Sequence, residues 1–209
     1  MYLLAIHGSP RKGGNTEILL DYFLKGIKKE NISFEKIRLS ELKYQPCIEC
    51  GKCETTGECN IEDDFQELYK KILKADFLVI STPIFFYNHT SYIQAFFERF
   101  QAFWARKYLL KLPHPLNKTT KGIILSIGAT KGKNLFEGVI RGFKYALDTI
   151  YGVYIGGFFL RGINKKGEIL NYPEYLEIAK NIGFKLSSLS EEEIIKFPEK
   201  LNLNTSSTP

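Results

Sequence analysis

Much that a 209-residue chain could carry is missing from this one. It has three histidines, His7, His89 and His114, far apart and in no metal-ligand spacing. Each therefore reads as an isolated loop histidine, and a histidine-built metal centre is disfavoured. No apolar run approaches the ~20 residues that a membrane-spanning helix needs, so no membrane is expected as a partner. The apolar start, Met1 to Ile6, has no basic flank and runs into a glycine-rich loop, so it reads as a first strand and not as a cleaved leader. No arginine-rich stripe is present, which sets nucleic acid aside. No Ser/His/Asp set and no carboxylate pair stands out. Neither a G-x4-G-K-S/T nor a G-x-G-x-x-G motif occurs. There are no internal repeats, and no linker divides the chain. Outside residues 47–59 there is no cysteine at all.

What is present begins with those cysteines. Cys47, Cys50, Cys53 and Cys59 follow the spacing C-x2-C-x2-C-x5-C. Iron–sulfur clusters are held by cysteine thiolates, and bacterial ferredoxins open with the same C-x2-C-x2-C run. A cubane presents several irons within a few ångströms, so one short loop can reach three of them. Zinc favours two separated C-x2-C knuckles, and a third close cysteine crowds its tetrahedron. Disulfides across such short loops are strained, and cytosolic thiols stay reduced. Iron–sulfur, redox-active free thiols and zinc all remain open on the spacing alone.

The bulk numbers fit one globular domain. Apolar residues make up 44% of the chain, which excludes wholesale disorder. The net charge of +6 comes from 29 basic and 23 acidic residues. It suits solubility or attraction of phosphate-bearing small molecules. Short apolar runs alternate with amphipathic stretches. Strands are predicted at Tyr2–His7, Phe34–Leu39, Asp76–Ser81, Lys121–Ile127 and Gly152–Leu160. Helices are predicted at Asn15–Lys29, Asp63–Lys74, His89–Leu110, Asn134–Tyr151 and Pro173–Leu189. This alternation means an α/β domain with a parallel sheet. The domain is expected over residues 1–195, with a cysteine loop at 43–62 after strand two and a flexible tail at 196–209.

In such a sheet, ligands bind beyond the carboxyl ends of the strands. Three loops lie there. The first, His7 to Thr16, is rich in glycine and adds Ser9, Arg11, Asn15 and Thr16, a set suited to a phosphate at a helix N-terminus. A plain turn capped by Asn15 or Thr16 is the simpler alternative. The second, Ser81 to His89, sets bulky apolar residues at a strand end, where they can flank a flat ring while backbone groups bond its polar edge. Thr90 or Ser91 is placed to cap the next helix. The third, Ser126 to Lys133, has small residues that allow close approach.

The segment Gly8-Ser9-Pro10-Arg11-x-Gly13-Gly14-Asn15-Thr16, directly after a first strand, resembles that of the NADPH-dependent FMN reductase group of flavodoxin-like proteins. The cysteine spacing resembles that of its iron–sulfur flavoprotein branch. The likeness runs from about Met1 to about Leu189. It implies a flavodoxin-like three-layer sandwich with a five-stranded parallel sheet of order 2-1-3-4-5. It also implies one FMN and one [4Fe–4S] cluster per subunit, in a homodimer or homotetramer. By this resemblance Ser9, Arg11, Asn15 and Thr16 contact the FMN phosphate. Pro83, Ile84, Phe85, Phe86, Tyr87 and Asn88 surround the flavin ring. Ala129 and Thr130 approach it from the third loop, where the family is usually richer in glycine. Cys47, Cys50, Cys53 and Cys59 are the cluster ligands. Such a protein passes electrons between a reduced donor, such as ferredoxin or NAD(P)H, and an acceptor in the cytoplasm, with no catalytic side chain. Two other readings stand beside it: a cluster-free NAD(P)H-dependent FMN or quinone reductase, and a flavin- or zinc-binding regulatory module.

Overall fold

Continuous apolar runs such as Leu3–Ile6 and Phe77–Ile80 call for a sheet buried on both faces. A computed structural model describes residues 1–188 and the backbone of 202–204. Its strands are β1 (Tyr2–His7), β2 (Ser33–Arg38), β3 (Phe77–Pro83), β4 (Lys121–Gly128), β5 (Val153–Arg161) and β6 (Asn202–Asn204). They pair in the order β2-β1-β3-β4-β5-β6, every pair parallel. The expected 2-1-3-4-5 sheet is therefore present, with β6 added beside β5. β6 falls within the segment read as a flexible tail. The boundary at 195 and the rest of 189–209 lie outside the described residues.

The described residues form the helices α1 (Asn15–Gly26), α2 (Lys52–Thr56, within the cysteine loop), α3 (Phe65–Lys74), α4 (Ser91–Glu98), α5 (Gln101–Trp104), α6 (Glu137–Thr149) and α7 (Pro173–Ser188). Leu3, Ala5, Phe77, Val79, Ile123 and Leu125 face α1 and α7. Their neighbours Leu4, Ile6, Leu78, Ile80 and Ile124 face the layer of α3 to α6. The period-two alternation thus splits one chain into two cores and three layers. No helix among the described residues is long and apolar enough to cross a membrane.

Several helices depart from the expected bounds, α3 starting two residues late at Phe65 and α6 running only Glu137–Thr149 within the expected Asn134–Tyr151. The stretch His89–Leu110 is not one helix. It breaks after Glu98 at Arg99–Phe100, restarts as α5, and widens into a π-turn over Ala105–Leu109. α1 stops at Gly26, three residues early, where Ile27 turns to extended backbone, and at Gly26 it meets α7 backbone to backbone. A methyl group on Gly26 would collide with the Lys180 carbonyl oxygen, and one on Gly183 with that of Phe23. Backbone atoms cannot rotate away as side chains do. Gly183→Ala is therefore expected to cost about 3 kcal/mol or more, seen as a lower denaturation midpoint at unchanged slope.

Candidate functional site

β1 ends at His7 and the chain turns over Gly8 to Gly14 into α1. Ser9 is buried, and its Oγ accepts from the Arg11 amide at 3.2 Å. The Arg11 carbonyl accepts from Gly14 N at 3.2 Å, closing the turn. Gly14 is the N-cap of α1 and supplies no side-chain cap, so neither Asn15 nor Thr16 caps the helix. The first-turn amides of such a helix remain available to an anion. Arg11 is exposed above them, and among the described residues its guanidinium pairs with no carboxylate.

One pocket gathers most of the residues the sequence singled out. It is lined by Ser9, Arg11, Asn15, Thr16, Pro83, Ile84, Phe85 and Ala129. Pro10, Gly14 and Ile127 of the same loops join them there, and Ile163 and Asn164 do so unforeseen. Asn164 arrives through Asn15, whose side chain works as a latch. Its Oδ1 accepts from Ile169 N at 3.2 Å, and its Nδ2 donates to the Lys165 carbonyl at 2.8 Å. The Asn15 amide thus holds the loop after β5 against the loop after β1.

Phe86, Tyr87, Asn88 and Thr130 lie outside that lining. Phe85 N donates to Asn88 O at 2.8 Å, and Asn88 N to Phe85 O at 2.9 Å. Between them Phe86 and Tyr87 have φ of 50° and 61°. This is a type I′ turn built from two aromatics, where asparagine and glycine are the usual choice. Holding bulky residues in the left-handed region costs of order 1 kcal/mol each. The Tyr87 hydroxyl sits where a side chain on Gly132 would collide with it. Phe86 projects fully into solvent. The amides of Phe85 and Asn88 are engaged with each other, and that of Ile84 donates to Ile127 O at 3.0 Å. The backbone donors expected over Phe85–Asn88 therefore narrow to those at the turn tip. Thr90 caps α4, with its Oγ1 accepting from Ile93 N at 3.4 Å.

Beneath the first loop lies a charged cluster that the sequence did not disclose. Gly13 N donates to Glu17 Oε2 at 2.7 Å, and the Glu17 carboxylate also takes Arg38 and Lys36. Burial works to raise the Glu17 pKa, but Arg38, the Gly13 amide and Lys36 outweigh it and pull it down to about 2. His7 is fully buried, and burial followed by the Arg38 charge lowers its pKa to about 4. Both shifts act in the same sense. Between pH 6.5 and 4 the unfolded chain binds the His7 proton and the folded chain does not, so stability falls as pH falls through that window. The Glu17 contribution is complete above pH 4.5 and is lost on descent towards 2. From His7 alone the loss is about 3 kcal/mol. Denaturation midpoints at pH 7 and pH 4 should differ accordingly, and His7→Leu should flatten the difference.

The four cysteines share a second pocket, completed by Ile61, Arg99, Gln101 and Ala102. Cys50 is exposed and the other three are half-buried, all without disulfides. The x5 gap is filled by the single turn of α2 followed by Gly57 in the left-handed region, φ 74°, whose N–H donates to Cys53 O at 2.8 Å. That reversal returns Cys59 to the pocket. Only glycine fits there, because a Cβ would lie 2.9 Å from Arg106 Cγ. The Cys53 thiol is pushed up by burial and by its neighbouring cysteines. Among the described residues no three Cys, His, Asp or Glu side chains converge enough to share one metal ion. A tetrahedral zinc site would hold its sulfurs about 3.8 Å apart, from bonds of about 2.3 Å. A cubane spreads four thiolates over four irons and needs a wider cradle.

Thr90, whose Oγ1 donates to Gly8 O at 2.6 Å, starts α4 beside the first pocket. Arg99 to Ala102, which border the cysteine pocket, lie about 14–18 Å further along in helical rise. The two pockets therefore border the same stretch of chain, one at the start of α4 and the other at the break between α4 and α5.

Comparison with known proteins places the chain in a family. A family model described as NADPH-dependent FMN reductase matches residues 1–137. An iron–sulfur flavoprotein of Archaeoglobus fulgidus is 33% identical over 198 residues, covering 92% of this chain and 82% of that one. One from Methanocaldococcus jannaschii is 28% identical over 211 residues, covering 96% of this chain and all of its own. The solved NAD(P)H:quinone oxidoreductase of Methanothermobacter marburgensis superposes with a TM-score of 0.67 at 17% identity, over 89% of this chain and 98% of that one, and so shares the fold. The chain belongs to the NADPH-dependent FMN reductase family of flavin-dependent oxidoreductases, in the group that contains the iron–sulfur flavoproteins.

Proposed function

We propose that this flavin-dependent oxidoreductase is an electron-transfer flavoprotein with two sites, an FMN in the first pocket and a [4Fe–4S] cluster on Cys47, Cys50, Cys53 and Cys59. The observation that carries the reading is the second pocket, because all four cysteines of the chain line it. Three of them in a C-x2-C-x2-C run crowd a zinc tetrahedron, and the curated relatives that match almost the whole chain are named iron–sulfur flavoproteins.

Together the two groups let a two-electron partner exchange with a one-electron partner. The chain's own residues bind and orient. Arg11 and the N-terminus of α1 balance the phosphate charge. Ile84, Phe85, Ile127 and Ile163 wall off water from the ring. Asn15 keeps the 164–169 loop closed over the site. No side chain is required as an acid, base or nucleophile, and the donor is ferredoxin or NAD(P)H. The working form is a homodimer or homotetramer in the cytoplasm. Symmetric closure of such an oligomer would bring one subunit's cluster near another's flavin. Anaerobic purification followed by counting should return one FMN with about four irons and four sulfides per chain. Zinc in place of iron, or flavin with no metal, would replace this reading with the regulatory module or the cluster-free reductase.

A further inference from the structure

We propose that Arg99 is the positioning residue of the cysteine pocket: its guanidinium ties the two ends of the cysteine loop together and fixes a positive charge beside the thiolates. The side chain is completely buried. Its Nη1 donates to the Gln45 carbonyl at 3.0 Å, two residues before Cys47, and to Asp63 Oδ2 at 2.6 Å. Its Nη2 reaches the Ile61 carbonyl at 3.5 Å, two residues after Cys59. One planar fork therefore spans both stems of the loop, a geometry that lysine cannot reproduce.

The pocket side is equally specific. Arg99 borders the cavity that the four cysteines line. Its Nε donates to the Tyr69 hydroxyl at 3.3 Å, and that hydroxyl donates to the Arg99 carbonyl at 2.8 Å. The guanidinium lies 4.7 Å from the Phe65 ring centroid, so it cannot swing away. Arg99 is also where the long helix breaks, and the break places Gln101 and Ala102 on the cavity wall.

A plain staple between α3 and α4 is the simpler role, but a buried ion pair performs it poorly. Well-packed apolar residues of equal volume usually stabilise as much or more. What they cannot do is hold two carbonyls sixteen residues of chain apart, those of Gln45 and Ile61, in one fixed frame. The electrostatic half of the proposal rests on the cluster reading given above, and the loop half does not.

The test uses the full-length chain with Arg99→Gln, Arg99→Lys and the double change Arg99→Gln with Asp63→Asn, which avoids stranding a buried carboxylate. In the reduced, metal-free protein under native conditions, the three half-buried thiols, Cys47, Cys53 and Cys59, should react with a disulfide reagent roughly tenfold faster or more in the glutamine variants. FMN affinity, read at the distant pocket, should not change. After reconstitution with iron and sulfide, Arg99→Gln should lower the reduction potential of the cluster, and Arg99→Lys should restore most of it. Unchanged thiol rates in both glutamine variants would overturn the proposal. So would rates that rise only in proportion to global unfolding. An unchanged potential in Arg99→Gln would overturn its electrostatic half. If even the unaltered chain takes up no iron, the cluster reading fails while the thiol rates still decide on the clamp.

Discussion

Cys50→Ala is expected to abolish or cripple the iron–sulfur cluster and to leave FMN bound. The chain has four cysteines, all on one loop, and no spare thiol to replace a lost ligand. Cys50 is the most accessible of the four, so its removal creates no buried cavity. The flavin pocket is built from other stretches of chain, the loops after β1, β3, β4 and β5. Neither the sheet nor its two cores draws on residues 47–59. The variant should therefore fold with the flavin spectrum intact, lose the broad visible absorbance of the cluster, and fail to reduce a one-electron acceptor. Simultaneous loss of flavin and iron would show that the two pockets form one cooperative unit.

The separation of the two pockets along the chain was largely legible in the sequence, and the reasons are local. The strands could be read because both sheet faces are covered, which makes runs such as Phe77 to Ile80 continuously apolar. The first loop could be read because it sets glycines and short polar side chains between a strand and a helix. What could not be read depends on contacts far apart in sequence. Asn15 was expected at the phosphate, yet its amide is engaged with Lys165 and Ile169. Nothing near residue 15 announces a loop 150 positions away. The Phe86–Tyr87 turn was illegible for the opposite reason, since its sequence argues against its backbone. Arg99 carried a faint signal. It is a charge inside the aromatic run Phe96, Phe97, Phe100 and Phe103, where helical periodicity wants an apolar residue. A lone cation in such a stripe asks for a buried partner, and Asp63 is that partner.

The other large effect is expected at Arg11. Arg11→Ala should weaken FMN by roughly 10- to 150-fold, the worth of a charge-assisted contact of about 1.5–3 kcal/mol. The geometry favours a clean result. Arg11 is exposed, and no ion pair recorded among the described residues ties its guanidinium into the fold, so its loss should leave stability almost unchanged. The turn itself survives the substitution, because only backbone atoms of Arg11 bond to Ser9 and Gly14. The loss should therefore appear in the dissociation constant of the flavin and not in the melting temperature. Arg11→Lys should fall between the two, since it keeps a point charge and loses the fork that matches a phosphate. Added salt should narrow the gap between the native protein and Arg11→Ala, because an exposed pair is screened within about 10 Å at 0.1 M. Titration of the flavin-free protein with FMN and with riboflavin separates this from a packing effect. A contact to the phosphate predicts that riboflavin, which lacks it, binds both proteins equally, and an equal loss for the two ligands would place Arg11 elsewhere in the site.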